Sequence, residues 1–412
     1  MTKLRIIKRK VTDAIRFGID EVLSRTPFTP DPHKVLFIRL DGIGDFVVWI
    51  DAARALAQHY RSQGKSPILL ADSNCAGLAE ALGIFDQVIP FDQPRFSSRP
   101  LYRIQMVRRI RGLGCTLAIQ PTYSRAFETG DAVIHFCGAK QRIGSTGNHT
   151  MITEARKRIS DRWYTQLIPA SEGPRMELIR NAEFVRSLLG IDFKAKVADL
   201  ATVATSWAKP QCAEEIGEGE PFYILFPGAS FPGRRWPLAS FRQVAEFLHR
   251  ETGWRGVVCG GAGDAHLAAS LCQESSAPLL NWSGRTTLSE LAVIFLRAKL
   301  LLANETSAVH LAEAVKLPTV CILGGGHFGR FVPYTVEEDA KRPLMQTAVH
   351  KMECFGCDWR CIYKVPADKP QPCIEGIGVD DVCQMIRRIL SNSSSYVAAA
   401  TGQQFAQSAK HN

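Results

Sequence analysis

Short apolar runs recur along the chain, and between them apolar positions return every third or fourth residue. An uninterrupted short run suits a strand covered on both sheet faces, and the wider spacing suits a helix packed on that sheet. On this basis strands are predicted at Lys34–Leu40, Pro67–Ala71, Gln87–Phe91 and Cys115–Gln120. Helices follow them at Phe46–Tyr60, Ala76–Leu82, Leu101–Arg111 and Ala126–Cys137. A less regular stretch, Ser145–Gly173, leads to a helix at Met176–Leu189. The alternation then resumes, with strands at Tyr223–Phe226, Gly256–Cys259, Pro278–Trp282, Leu300–Ala303 and Pro318–Leu323. The helices of this second run fall at Leu238–Glu251, Ala265–Gln273, Leu288–Ala298 and Ala308–Val315, and a last one at Asp380–Leu390. Strands alternating with helices predict an α/β protein built on doubly wound parallel sheets.

Breaks in the pattern set the domains. A chain of 412 residues is long for one core, and polar residues and glycines interrupt the periodicity near Val203–Gly219. The expected division is a first domain over residues 34–205 and a second over 206–390. Two such domains facing a central cleft would suit a reaction of two substrates. Residues 1–33 stand apart. Leu4, Ile7, Val11, Ile15, Ile19 and Val22 share one helix face, and Lys3, Arg5, Lys8, Arg9 and Lys10 make its start basic. That helix either lies on an anionic membrane surface or packs on its own domain. Residues 391–412, rich in Ser, Ala and Gln, read as a disordered tail.

Composition narrows the class. Hydrophobic content of 46% and charged content of 22% are those of a globular protein with a sizeable core. No apolar run approaches the ~20 residues that span a bilayer, which predicts a soluble, cytoplasmic protein. A net charge of +10 points to an acidic partner: nucleic acid, anionic lipid or a phosphorylated substrate. Most of the 12 cysteines are scattered through predicted strands and helices, as free thiols are in reducing compartments.

Candidate chemistry sits where strands end. DGIGD (Asp41–Asp45) follows the first strand; Gly42 and Gly44 allow a tight turn, and Asp45 opens a helix either as a reactive carboxylate or as its cap. PGASFPGRRWP follows another strand, offering Ser230 and two guanidiniums, Arg234 and Arg235, whose planar donor forks match phosphate oxygens. In NETSAVH a strand runs into Asn304, Glu305, Thr306 and Ser307, then a helix carrying Ala308 and His310. Its free N–H groups and dipole favour an anion. A helix cap alone would also explain Thr306 or Ser307. In LYRIQMVRRIR, Leu101, Ile104, Val107 and Ile110 are assigned inward, leaving Arg103, Arg108, Arg109 and Arg111 outward as a solvated face or a grip on an acidic acceptor.

Taken in order, VLFIRLDGIGD, LFPGAS…RRWPLASF, GGAGD and NETSAVHLAEAVKLPTVCILGG resemble glycosyltransferase family 9, the ADP-heptose:lipopolysaccharide heptosyltransferases of the two-domain GT-B fold. The resemblance runs from Lys34 to about Leu390 and implies two Rossmann-like domains, the first binding the acceptor and the second the nucleotide sugar. It implies an inverting transfer of heptose, or a related sugar, from an ADP-sugar to a lipopolysaccharide core or similar anionic glycolipid at the inner-membrane surface. Asp45 matches the family's catalytic aspartate, the general base. Arg234 falls where a basic residue meets the donor phosphates, and Gly44, Ser230, Arg235, Glu305, Thr306, Ser307, Ala308 and His310 fall on donor-binding segments. Arg103, Arg108 and Arg109 are the acceptor candidates. Departures from the pattern are Glu305 for a common Asp, Ser307 for a common Gly and Arg234 for a frequent Lys. No cofactor is required for catalysis in such enzymes.

Cys354, Cys357, Cys361 and Cys373 cluster near zinc-ligand spacing, so a structural zinc stands beside reduced or paired thiols as a reading. Two other classes compete with sugar transfer. A nucleic-acid-binding protein is disfavoured by dispersed basic residues without aromatic interleaving. A nicotinamide-dependent oxidoreductase is disfavoured by the absence of a full GxGxxG after the first strand.

Overall fold

The computed structural model describes residues 16–336 and 345–391. The chain divides into two compact units, one ending at Ala198 and the other beginning at Asp199. The division falls just upstream of the break expected near Val203–Gly219, because Leu200 N already donates to Ala314 O within the second unit.

In the first unit, β1 (Asp31–Arg39), β2 (Ser66–Asp72), β3 (Gln87–Phe91), β4 (Cys115–Gln120), β5 (Gln141–Ser145) and β6 (Gln166–Ile168) form one sheet in the order β3-β2-β1-β4-β5-β6. Its pairings are parallel. Val35–Ile38 of β1 are fully buried, as the strand at the centre of a two-sided sheet requires. Neither β5 nor β6 was expected: β5 ends where the stretch that looked irregular begins, and β6 lies inside it. Gln141 and Arg142 open β5 and only three residues make β6, too little apolar length for a periodicity signal.

The second unit repeats the plan. β7 (Phe222–Phe226), β8 (Arg255–Val258), β9 (Leu279–Asn281), β10 (Leu300–Asn304), β11 (Thr319–Ile322) and β12 (Met345–Ala348) are ordered β12-β11-β10-β7-β8-β9, again in parallel. The edge strand β12 was not foreseen. Each sheet therefore reverses its winding once, at β1/β4 in the first and at β7/β10 in the second. In open α/β sheets the crevice beyond the strand ends at such a reversal is where ligands bind.

Local differences have local causes. The long helix expected after DGIGD is two helices, Ile43–Val47 and Ile50–Ser62. The helix expected at Ala126–Cys137 opens with a wide turn at Phe127–Asp131 before Ala132–Phe136. Of the basic N-terminal segment, residues 1–15 lie outside the described part, and residues 16–24 are helical. Leu23 and Ile19 pack into the first unit's core, and Phe17 stacks on His135 and Trp163. Val22, expected on the apolar face, is 69% exposed. The tail expected to be disordered lies outside the described residues apart from Ser391. Among the described residues no helix is long and apolar enough to cross a membrane.

Candidate active site

At the end of β1 the chain leaves the sheet at Leu40 and turns through Asp41 and Gly42 into the helix Ile43–Val47, where Phe46 N donates to Gly42 O. The Asp45 carboxylate folds back over this turn: a Cβ on Gly42 would lie 3.3 Å from Asp45 Oδ2. Beneath it lies Arg39, 1% exposed, the last residue of β1. Its Nε pairs with Asp41 Oδ1 at 2.7 Å, one terminal nitrogen donates to Asp45 O at 3.0 Å, and the guanidinium lies over Trp49 at 5.2 Å. Asn181 completes the support: its Oδ1 accepts from Arg39 at 3.4 Å and its Nδ2 donates to Val48 O at 3.2 Å. Burial pushes the Asp41 carboxyl up to about 7 against the pull of Arg39, with the charges of Asp45 and Glu177 adding to the push. Arg39 and Asp41 escaped the sequence reading as functional residues. The signal was there, since an arginine inside KVLFIRL needs a partner once buried.

The second unit builds its site from two strand ends. Asn304, fully buried at the end of β10, is the crosspiece. Its Oδ1 accepts from Trp236 N at 3.0 Å and its Nδ2 donates to Pro227 O at 2.7 Å, so both ends of the loop after β7 are tied to the end of β10. GGAGD supports the same loop from the other side. Asp264 accepts from Gly261 N at 3.0 Å, and its carboxylate occupies the space a Cβ on Gly228 would need.

Within this frame Arg234, on the short turn Pro232–Arg234, reaches the β10 end. Its Nη2 donates to Glu305 O at 2.7 Å and Glu305 Oε2 at 3.1 Å, and its Nη1 to Ser230 Oγ at 3.2 Å. Burial raises the Glu305 carboxyl above its ordinary value, and the adjacent Arg234 opposes that rise. Thr306 caps the helix Ser307–Ala314 by accepting from Ala308 N at 3.3 Å. The capping explanation therefore holds for Thr306, and Ser307 opens the first turn. His310 is buried with its Nδ1 sharing a hydrogen bond of 2.6 Å with Tyr334; burial, then the charge of Arg234, lowers it to about 4. It is a neutral imidazole at physiological pH. Arg235 turns to Ala229 O, at 3.1 Å from its Nη2, and braces the loop.

One expectation is corrected. Arg103 does not project outward: it is 3% exposed, paired through Nε at 2.7 Å with the buried carboxylate of Asp20, and lies over Phe96. Arg111 is buried likewise, donating to Phe136 O, while Leu101, assigned inward, is exposed. The helix Pro100–Gly112 is rotated from the assigned facing because residues 16–24 cover it and supply Asp20. Arg108 and Arg109 remain exposed. The cysteines are placed as follows. Among the described residues no group of three or more His, Cys, Asp or Glu is arranged to hold a metal ion. Burial pushes the Cys373 thiol up, with the charges of Cys354, Cys357 and Cys361 adding to the push, and its Sγ accepts from Gly325 N at 3.5 Å.

The sequence profile described as glycosyltransferase family 9 (heptosyltransferase) matches residues 132–355, more than half of the chain. The chain belongs to glycosyltransferase family 9. It is similar to lipopolysaccharide heptosyltransferase 2 of Salmonella typhimurium, 31% identical over 114 residues, 26% of this chain and 32% of the relative. The match thus spans about a third of that relative's length. Among solved structures, E. coli ADP-heptose lps heptosyltransferase II superposes with a TM-score of 0.63 at 16% identity, over 88% of this chain and 99% of the other. E. coli heptosyltransferase WaaC with ADP-2-deoxy-2-fluoro heptose gives 0.62 at 14%, over 86% and 99%. At these identities the two superpositions establish the fold, α/β of GT-B type with two parallel six-stranded sheets.

Proposed function

We propose that this family 9 enzyme is an inverting glycosyltransferase that moves a heptose, or a related sugar, from an ADP-sugar to a lipopolysaccharide core or similar anionic glycolipid. The observation that carries the reading is the convergence of Arg234 and the start of the helix Ser307–Ala314 at the winding reversal of the second sheet. A guanidinium beside a helix N-terminus is a seat for a diphosphate. Family membership favours sugar transfer over the nicotinamide-dependent and nucleic-acid-binding readings.

In the proposed reaction Asp45 takes the proton of the acceptor hydroxyl as its oxygen bonds to the anomeric carbon. The bond from that carbon to the phosphate oxygen breaks on the opposite side, and the electron pair leaves with ADP. Arg234 and the helix start hold the charge that develops on the diphosphate. Ser230, Thr306, Ser307 and Ala308 surround the donor, and Glu305 fixes Arg234. Neutral His310 cannot add charge and serves the sugar or diphosphate through packing and hydrogen bonding. Gly44 keeps the Asp45 turn tight. No step passes through a metal.

Arg108 and Arg109, with the basic residues of the N-terminal segment, suit an acidic acceptor at the cytoplasmic face of the inner membrane. Arg103 is withdrawn from that role, since its charge is matched by Asp20. The decisive experiment is product analysis with purified enzyme, a glycolipid acceptor and a panel of nucleotide sugars. Asp45→Asn should lower turnover by ~10²–10⁴ while leaving donor affinity intact, as removal of a general base does. Turnover at the wild-type rate would remove Asp45 from the mechanism.

A further inference from the structure

The cysteine-rich segment after β12 has no part in the reaction as written. It nevertheless runs alongside the three glycines that follow β11. Gly356 N donates to Gly325 O at 2.8 Å and Asp358 N to Gly326 O at 3.0 Å. Rings of the segment lie directly on that glycine turn. A Cβ on Gly325 would sit 2.3 Å from Phe355 Cδ1, and one on Gly326 2.3 Å from Trp359 Cδ2. Only glycine permits such an approach.

What this arrangement delivers is Trp359. Its ring lies under the Arg234 guanidinium at 4.9 Å, with Phe231 edge-on at 5.6 Å and His327 edge-on at 6.1 Å. Two features work against placing it there. Asp358 and Trp359 have φ of 52° and 58°, a left-handed pair without glycine. The Trp359 indole nitrogen is buried with no hydrogen-bond partner among the described residues. The turn also needs a clamp, His327 Nε2 to Asp358 Oδ1 at 2.9 Å. Strained backbone and an orphaned donor persist where surrounding structure enforces them, and such places cluster at functional sites.

We propose that Trp359 is a positioning residue for Arg234: its indole face sets the plane of the guanidinium before the donor diphosphate arrives. The proposal rests on the reading of Arg234 as partner of the leaving diphosphate. Arginine has a long, rotamer-rich side chain, so a ligand that had to order it would lose affinity in doing so. Glu305 and Ser230 hold the terminal nitrogens from the edge of the guanidinium, which leaves its face to be fixed by a ring. Tryptophan offers the strongest cation–π attraction of the aromatic residues. The cysteine-rich segment is then a wall of the donor site in the second unit.

The test uses the full-length enzyme with Trp359→Phe, Trp359→Leu, Arg234→Gln and the double variant Trp359→Leu/Arg234→Gln, each measured for kcat, donor KM and ADP affinity. Trp359→Leu should lower kcat/KM for the donor by ~3–30-fold, the equivalent of a lost cation–π contact, and Trp359→Phe should recover most of it. In the Arg234→Gln background the same Trp359→Leu change should have less than about a two-fold effect. Equal losses in both backgrounds, or no loss in the wild-type background, would overturn the proposal alone. An Arg234→Gln enzyme with wild-type donor kinetics would overturn the reading of Arg234 and the proposal together. If Trp359→Leu does not fold, fluorinated tryptophan at position 359 keeps the ring's shape and withdraws its π density. Donor kcat/KM should fall with fluorination, and indifference would overturn the proposal.

Discussion

Asn304 joins three segments through one side chain, and its replacement gives a prediction whose size follows from its partners. Asn304→Ala orphans Trp236 N and Pro227 O, both buried and both bonded at 3.0 Å or less in the wild type. Each orphaned group costs about 1–3 kcal/mol, and the weaker 3.5 Å contact to Gly228 O adds little. A loss of about 2–6 kcal/mol is therefore expected. Asn304→Asp separates the two bonds. It keeps the acceptor for Trp236 N but sets a carboxylate oxygen against Pro227 O, unless that oxygen carries a proton and donates. The folded state would hold the proton, so the carboxyl's folded pKa lies above its unfolded value. Stability is then close to wild type below the unfolded pKa of ~4 and is lost as pH rises through the folded pKa. Urea denaturation followed by tryptophan emission is a suitable assay, since Trp207, Trp236, Trp254, Trp282 and Trp359 all lie in the second unit. A loss below about 0.5 kcal/mol for Asn304→Ala would refute the crosspiece argument, because surface substitutions already reach that size. So would an Asn304→Asp variant equally stable at pH 4.5 and pH 8.

Arg103→Leu should destabilise the first unit by about 3–5 kcal/mol by stranding the Asp20 carboxylate, whereas Asp20→Leu/Arg103→Met should come close to wild type; a double-mutant denaturation cycle measures both. His310 titrates near 4 in the fold against an ordinary value of 6.5, so the unfolded chain binds its proton first as pH falls. Its contribution of about 3 kcal/mol is complete above pH 6.5 and disappears toward pH 4. Stability profiles from pH 4 to 8 should be flatter in this window for His310→Gln than for the wild type.

The sequence by itself determined the α/β alternation, the two-domain division and the positions of the chemistry-bearing loops. All of these rest on local periodicity and on glycines, prolines and hydroxyls that act within a few residues. DGIGD, PGAS…RR and NETS could be placed at strand ends because buried parallel strands are short and uninterruptedly apolar, so their ends are sharp. Chains too short or too polar to show a period, such as Gln166–Ile168 and Met345–Ala348, were invisible. Which arginines meet solvent was decided only by tertiary structure. Arg103 and Arg109 look alike along the chain, yet Asp20 from a distant helix buries the first and leaves the second exposed. The supports of the site belong to the same class: Arg39 under the Asp45 turn, Asn304 across two strand ends and Trp359 against Arg234. Each depends on partners far apart in sequence, and no local spacing encodes that a guanidinium, an amide or an indole will meet them.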